Sequence, residues 1–207
     1  MAGLFIAFEG GEGAGKSTQE KLLGAFLEQR GYTVTRTREP GGTPAAEVIR
    51  NILLSHDYEG LNPRSEALLF AAARGDHVER VIRPALQRGE VVICDRYIDS
   101  SVAYQGFARG LGVDEVRNLS LWATEELLPD LTIVLALDPE IGLARVKNHD
   151  RLESEPMEYH RAVSDAYLQL AAKEPDRYLV IDALQEQEVI AHIIQERVSQ
   201  ELDKNHG

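Results

Sequence analysis

Cysteine is almost missing from this chain: Cys94 is the only one. No disulfide can form within a single copy, and no thiolate cluster can hold a metal. Cys94 sits in an apolar run and reads as a small buried hydrophobe. Positive charge is also scarce, with 22 Lys and Arg against 34 Asp and Glu and a net charge of −12. That balance argues against a nucleic-acid polymer as the main partner, and any phosphate site must build its own local positive field. No apolar run approaches the length needed to span a bilayer, and the N-terminus lacks a basic region followed by a signal-like apolar core. A cytoplasmic, reducing setting with no membrane partner is expected. Internal repeats, low-complexity tracts and linkers are absent too. With 207 residues, 43% hydrophobic and 27% charged, the chain reads as one α/β domain over 1–207.

The strongest positive signal is Gly10-Gly11-Glu12-Gly13-Ala14-Gly15-Lys16-Ser17, which fits G-x-x-x-x-G-K-[ST]. Leu4–Phe8 before it is strand-like, and Leu22, Leu23, Phe26 and Leu27 after it recur at helical spacing. A phosphate-binding loop sits in this strand–loop–helix setting. Its glycines let backbone N–H groups curl round a phosphate, and the helix N-terminus adds positive potential. The stretch Gly10 to Thr18 is therefore the candidate phosphate-binding element. Lys16 supplies a point charge for the outer phosphates, and Ser17 a hydroxyl for Mg²⁺.

Four further apolar runs read as strands: Thr33–Thr37, Val91–Cys94, Leu131–Leu137 and Tyr178–Ile181. Helical patterns lie between them, which predicts a mostly parallel sheet covered on both faces. Ligands gather at the carboxyl ends of such strands. Arg38-Glu39 and Asp95-Arg96-Tyr97 stand at those ends. Asp95 fits the second magnesium element of phosphate-loop proteins, or a helix cap. Arg38, Arg50 and Arg96 together suit a second phosphate, because guanidinium groups bind phosphate bidentately. Phe70 and Arg74 are four apart and share a helix face, a ring and a planar donor for a nucleobase. Tyr97, Ser101, Tyr104 and Gln105 offer a second polar face, and both stripes also read as ordinary helix packing. The polar stretch from Arg145 to Glu158 is either a mobile flap or a plain solvated connection.

Taken together, Phe8-Glu9-Gly10-x-Glu12-Gly13-x-Gly15-Lys16-Ser17, Thr37-Arg38-Glu39-Pro40-Gly41-Gly42-Thr43, Asp95-Arg96-Tyr97-x-x-Ser100-Ser101-x-Ala103-Tyr104-Gln105-Gly106 and Asp150-Arg151-Leu152-Glu153 closely resemble bacterial thymidylate kinases. The resemblance implies a P-loop nucleoside monophosphate kinase fold with five parallel strands in the order 2-3-1-4-5. It implies transfer of the γ-phosphoryl of ATP to dTMP with Mg²⁺, and usually a homodimer. On the acceptor side, it implies Phe70 stacking on thymine and Arg74 bonding its exocyclic oxygen. Ser101 and Gln105 would complete base recognition, with Tyr104 against the sugar edge. Arg50 and Arg96 would grip the dTMP phosphate, with Glu12 and Glu39 near the deoxyribose. One branch of the family carries an arginine in the phosphate loop, where this chain has Gly13. The other carries it in the lid, and Arg151, in a lid at about 145–156, is the matching catalytic arginine. Lys16, Arg96, Arg151 and Asp95 are thus the expected catalytic set, and Ser17 and Asp95 the metal ligands. Two other readings are a deoxynucleoside kinase, which needs a base near the 5′-hydroxyl in place of phosphate-binding arginines, and a nucleotide switch. The guanine-reading N-K-x-D motif is absent, which weighs against a GTPase.

Overall fold

The computed structural model describes residues 3–206, with side chains through 204. Strand β1, Leu4–Gly10, lies at the centre of the sheet and is buried along its whole length. It pairs in parallel with β3 (Val91–Asp95) on one side and β4 (Leu131–Ala136) on the other. β2 (Val34–Arg38) and β5 (Tyr178–Asp182) complete the order β2-β3-β1-β4-β5. Each strand runs one or two residues past or short of its apolar run, because the polar residues at the ends keep pairing where packing no longer needs them.

Period-two alternation sends the two sides of β1 into different cores. Phe5 and Ala7, with Val92, Cys94 and Val134, face one cluster. It is closed by Val78 and Ile82 after α3 (Pro63–His77), by residues of α5 (Ile98–Ser101), and by Tyr159, Val163 and Tyr167 of α8 (Met157–Lys173). Leu4, Ile6 and Phe8 face the other, which is closed by Leu23 and Leu27 of α1 (Lys16–Gln29) and Ile190, Ile194 and Val198 of α9 (Gln187–His206). Layering on both faces is what continuous apolar strands require. Among the described residues, no helix is long and apolar enough to cross a membrane.

The remaining helices are α2 (Pro44–Leu54), capped by the Thr43 hydroxyl on Ala46 N, a short α4 (Arg83–Gln87), α6 (Val113–Thr124) and a short α7 (Pro139–Ala144). One departure from regular helix matters for the site. After α5 the chain widens into a π-helical stretch, Val102–Ala108. Each wide turn holds an extra residue, so spacing rules for an α-helix lose phase there. Tyr97 does not line the pocket with Ser101, Tyr104 and Gln105, because the helix starts only after it. It precedes α5 in extended backbone and packs its ring edge-on against Phe5, with its hydroxyl bonded to Leu127 O at 3.0 Å.

Candidate active site

The parallel registers place Phe8 and Arg38 opposite Asp95. The phosphate loop, Arg38-Glu39 and Asp95-Arg96 therefore converge at one edge of the sheet. They open onto one pocket. Its lining includes Glu12 and Lys16 from the loop, Arg38, Glu39, Arg50, Asp95 and Arg96, and then Phe70, Ser101, Tyr104 and Gln105. From the segment after α7 come Asp150, Leu152 and Glu153.

Gly15 caps α1 in left-handed backbone (φ 93°), so the loop turns back over the helix start. The Lys16 ammonium is buried and donates to the carbonyls of Gly10 and Gly11 at 3.1 and 2.9 Å. Burial, helped by the Arg96 charge, holds its pKa below the usual lysine value. Gly15, Ser17 and Thr18 are exposed. Asp95 keeps a buried carboxylate oxygen, Oδ1, with no hydrogen-bond partner. Glu20, one turn beyond Ser17, has another. Burial and the Asp95 charge push its carboxyl up to about 7.

Arg96 is held in left-handed backbone at φ 65°, a costly conformation for a non-glycine that surrounding contacts must enforce. Its guanidinium reaches Glu12, Gly10 O, Ser100 Oγ and the Tyr167 hydroxyl, and lies 5.2 Å above the Tyr104 ring. Burial works to raise the Glu12 carboxyl. Arg96, Lys16 and the Tyr104 hydroxyl outweigh it and bring the group down to about 2. Beneath them lies Glu9, fully buried, accepting from Tyr97 N, Ser100 N, Ser100 Oγ and Tyr167 OH at 2.6–3.2 Å. These bonds fasten the Arg96–Ser101 corner to β1. Burial, and then the Asp99 charge, lift Glu9 to about 7. Arg50 donates to Pro40 O at 2.8 Å, while Arg38 pairs with Glu47 at 3.0 Å.

Arg74, expected at the base, and Arg151, expected as the lid's catalytic arginine, do not line the pocket. Arg74 is fully buried, and its donors are engaged with Glu39 (2.7 Å), Ser120, Tyr97 O and Ser101 (each 3.0 Å). It braces Glu39 and Ser101, which do line the pocket. Glu39's second oxygen meets His77 Nδ1 at 3.1 Å, and His77 Nε2 meets Thr37. That leaves this buried Glu-His-Cys94 group without a free imidazole nitrogen for a metal. Arg151 is only 6% exposed. Its side chain donates to Leu53 O at 2.8 Å and Glu66 Oε2 at 2.7 Å. The arginine resting on the phosphate loop is Arg145, exposed and 2.9 Å from Gly13 O. Glu66 and Arg145 carry no motif signal, and Glu9, though inside the first quoted motif, has no role read from it. The available hint is positional: Glu9 is a carboxylate continuing an apolar strand, and Glu66 stands one helical turn before Phe70.

A phosphate loop at the centre of a 2-3-1-4-5 sheet, facing an arginine-lined pocket, defines a P-loop nucleoside monophosphate kinase fold. The chain matches the family described as Thymidylate kinase over residues 8–194. It is 57% identical to the thymidylate kinase of Leifsonia xyli subsp. xyli over 193 residues, covering 91% of each chain. It is 53% identical to that of Clavibacter sepedonicus, covering 95% of each. The crystal structure of thymidylate kinase from Ehrlichia chaffeensis superposes with a TM-score of 0.79 at 33% identity, over 96% of this chain and 99% of that one. This chain belongs to the thymidylate kinase family.

Proposed function

We propose that the chain transfers the γ-phosphoryl of ATP to dTMP, giving dTDP for dTTP synthesis. The observation carrying this reading is that one pocket is lined by the phosphate-loop lysine, two strand-end or helix arginines (Arg96 and Arg50) and the Phe70 ring. A nucleoside monophosphate needs that sequence of groups: a donor phosphate, an acceptor phosphate, then a base. A nucleoside without a 5′-phosphate would leave the second anion site, formed by Arg96 and Arg50, unused.

Phosphoryl transfer asks little covalent work of a protein; alignment and charge neutralisation carry it. Loop N–H groups and Lys16 hold the donor phosphates, with Gly10 to Thr18 as the ATP-binding stretch. Arg96 and Arg50 hold the acceptor phosphate, and the low-lying Glu12 carboxylate keeps Arg96 in place. Tyr104 and Glu12 bound the sugar edge, while Phe70, Ser101 and Gln105 frame the base, with Arg74 supporting from behind. The orphaned Asp95 Oδ1 and the Ser17 hydroxyl suit a hard cation, so these two residues would hold Mg²⁺. Bound there, Mg²⁺ supplies charge neutralisation at the phosphates. Of the lid arginines, Arg145 bonds the phosphate loop at Gly13 O, which supports assigning it to the transferring group. Arg151 docks the lid segment, about 145–156, beside the acceptor pocket. The enzyme works in the cytoplasm, where both nucleotides are found.

We assign the dimer contact to the outer face of α3 and α6. Trp122 is 82% exposed, with Leu68 beside it and Leu69, Ala71, Ala72, Leu119 and Ala123 lining the same shallow apolar groove. A second copy is the occupant that the family resemblance implies, and an apolar face suits self-association.

A coupled assay of ATP turnover across nucleoside monophosphates tests the reading, with thymidine as the arm for a deoxynucleoside kinase. dTMP should be the preferred acceptor. Lys16→Ala should lower turnover at least ~100-fold. Preference for thymidine, or near-normal turnover in that variant, sinks the assignment.

A further inference from the structure

Glu66 has no task in the scheme above, yet it is fully buried and in contact with four donors. It stands four and eight positions before Phe70 and Arg74 on α3, hence on their face. Its Oε1 accepts from Gln105 Nε2 at 3.0 Å and Arg109 Nε at 3.3 Å. Its Oε2 accepts from Arg151 Nη2 at 2.7 Å and Arg109 Nη2 at 3.3 Å. Arg109 also reaches Glu155 at 2.6 Å. One carboxylate thus joins the base end of the pocket to the segment carrying Asp150, Leu152 and Glu153.

An ionised carboxylate accepts hydrogen bonds and donates none. The Gln105 amide must therefore turn its nitrogen toward Glu66, leaving the carbonyl oxygen as the free end. Gln105 lines the pocket with Phe70. An acceptor presented there matches the N3–H of thymine or uracil. It repels cytosine, whose N3 carries a lone pair. With an uncharged amide at position 66, either end of Gln105 could face the base.

We propose that Glu66 is a positioning residue: it fixes which end of the Gln105 amide meets the base and, through Arg151, seats the lid segment beside the same pocket. This rests on the dTMP reading, which the wild-type assay settles first and separately; failure of wild type to use dTMP would count against that reading alone. Glu66→Gln keeps the side-chain shape and removes the accept-only rule. The KM for dTMP should rise about tenfold, the factor of one hydrogen bond, with kcat within ~threefold. The preference for dTMP over dCMP in kcat/KM should narrow by at least about tenfold. A purely structural role would leave that preference intact. A folded Glu66→Gln enzyme with wild-type dTMP KM and wild-type selectivity overturns the proposal. Because this variant leaves Arg109 and Arg151 short of a counter-charge, a measurement on the wild-type enzyme decides the case if it does not fold. Saturating dTMP without ATP should slow hydrogen exchange across 145–156, whereas 2-deoxyribose 5-phosphate, which lacks the base, should not. Equal protection by both ligands, or by neither, overturns the link between base and lid.

Discussion

Arg151→Ala separates two roles that differ by orders of magnitude. In the structure, Arg151 spans two carbonyl or carboxylate partners at 2.7–2.8 Å while its backbone N–H holds Leu54 O at 3.1 Å. Removing one member of a buried ion pair costs about 3–5 kcal/mol. Arg109 and Gln105 remain on Glu66, so the lower end, about 3 kcal/mol, applies here. For a chain near 200 residues, each kcal/mol moves Tm by about 2–4 °C. Scanning calorimetry should therefore show a drop of about 6–12 °C. Steady-state kinetics should show a higher KM for dTMP and a kcat within about tenfold of wild type. The companion variant Arg145→Ala should behave in the opposite way. Its exposed side chain contributes little to stability, so Tm should hold, while kcat falls at least ~100-fold because the charge on the loop is lost. An arginine acting on the transferring phosphoryl contributes roughly 10³–10⁵ in rate. A kcat loss of that size in Arg151→Ala, with Tm within about 2 °C of wild type, would refute the docking role. It would restore Arg151 to the catalytic position that the family resemblance implies.

Phe70→Ala should raise the KM for dTMP with little change for ATP. The loss of a stacked ring costs about 1–3 kcal/mol; a raised ATP KM with dTMP unaffected would place the ring at the wrong nucleotide. Trp122→Glu should turn a dimer into a monomer in sedimentation equilibrium, and a wild-type enzyme that is itself monomeric rejects the α3–α6 interface. Glu9 titrates near 7 when folded, against 4.5 in its ordinary state. Its folded pKa is raised, so the stability it confers is fully present below about pH 4.5 and is lost as pH climbs through 7, by about 3 kcal/mol at most. Unfolding curves from pH 4.5 to 8 should lose that component in Glu9→Gln; identical pH slopes in the two proteins would disprove it.

The strands and the phosphate loop were legible because their signals are local. Leu4–Phe8 is apolar on both faces, and the glycine spacing specifies one backbone shape. Arg38 and Arg96 meet because strand ends in a parallel sheet share an edge, and the helices that follow those strands bring Arg50, Phe70, Tyr104 and Gln105 to the same edge. The remainder depends on contacts between distant residues. Glu66 and Arg151 are 85 residues apart, and no period in the chain links them. Arg74 shares a helix face with Phe70, but that face is deep enough to hold both a pocket wall and the layer behind it, and Arg74 falls in the second. Tyr97 was misplaced by α-helical spacing because the helix begins only at Ile98, and Tyr97 precedes it in extended backbone.

One contact made by the phosphate loop bears on the history open to this chain. A Cβ added to Gly13, itself at φ +64°, would lie 2.2 Å from Gly142 O, and one added to Gly142 would lie 2.1 Å from Glu12 O. Backbone meets backbone there, so no rotamer change relieves either clash. Single substitutions at the two sites are blocked, and a double substitution compounds the overlap. The arginine-in-the-loop design cannot be reached from this sequence by point mutation at position 13 while α7 keeps its seat. The close approach of these two glycines thus ties the phosphate loop to α7 and leaves no room at position 13 for a side chain.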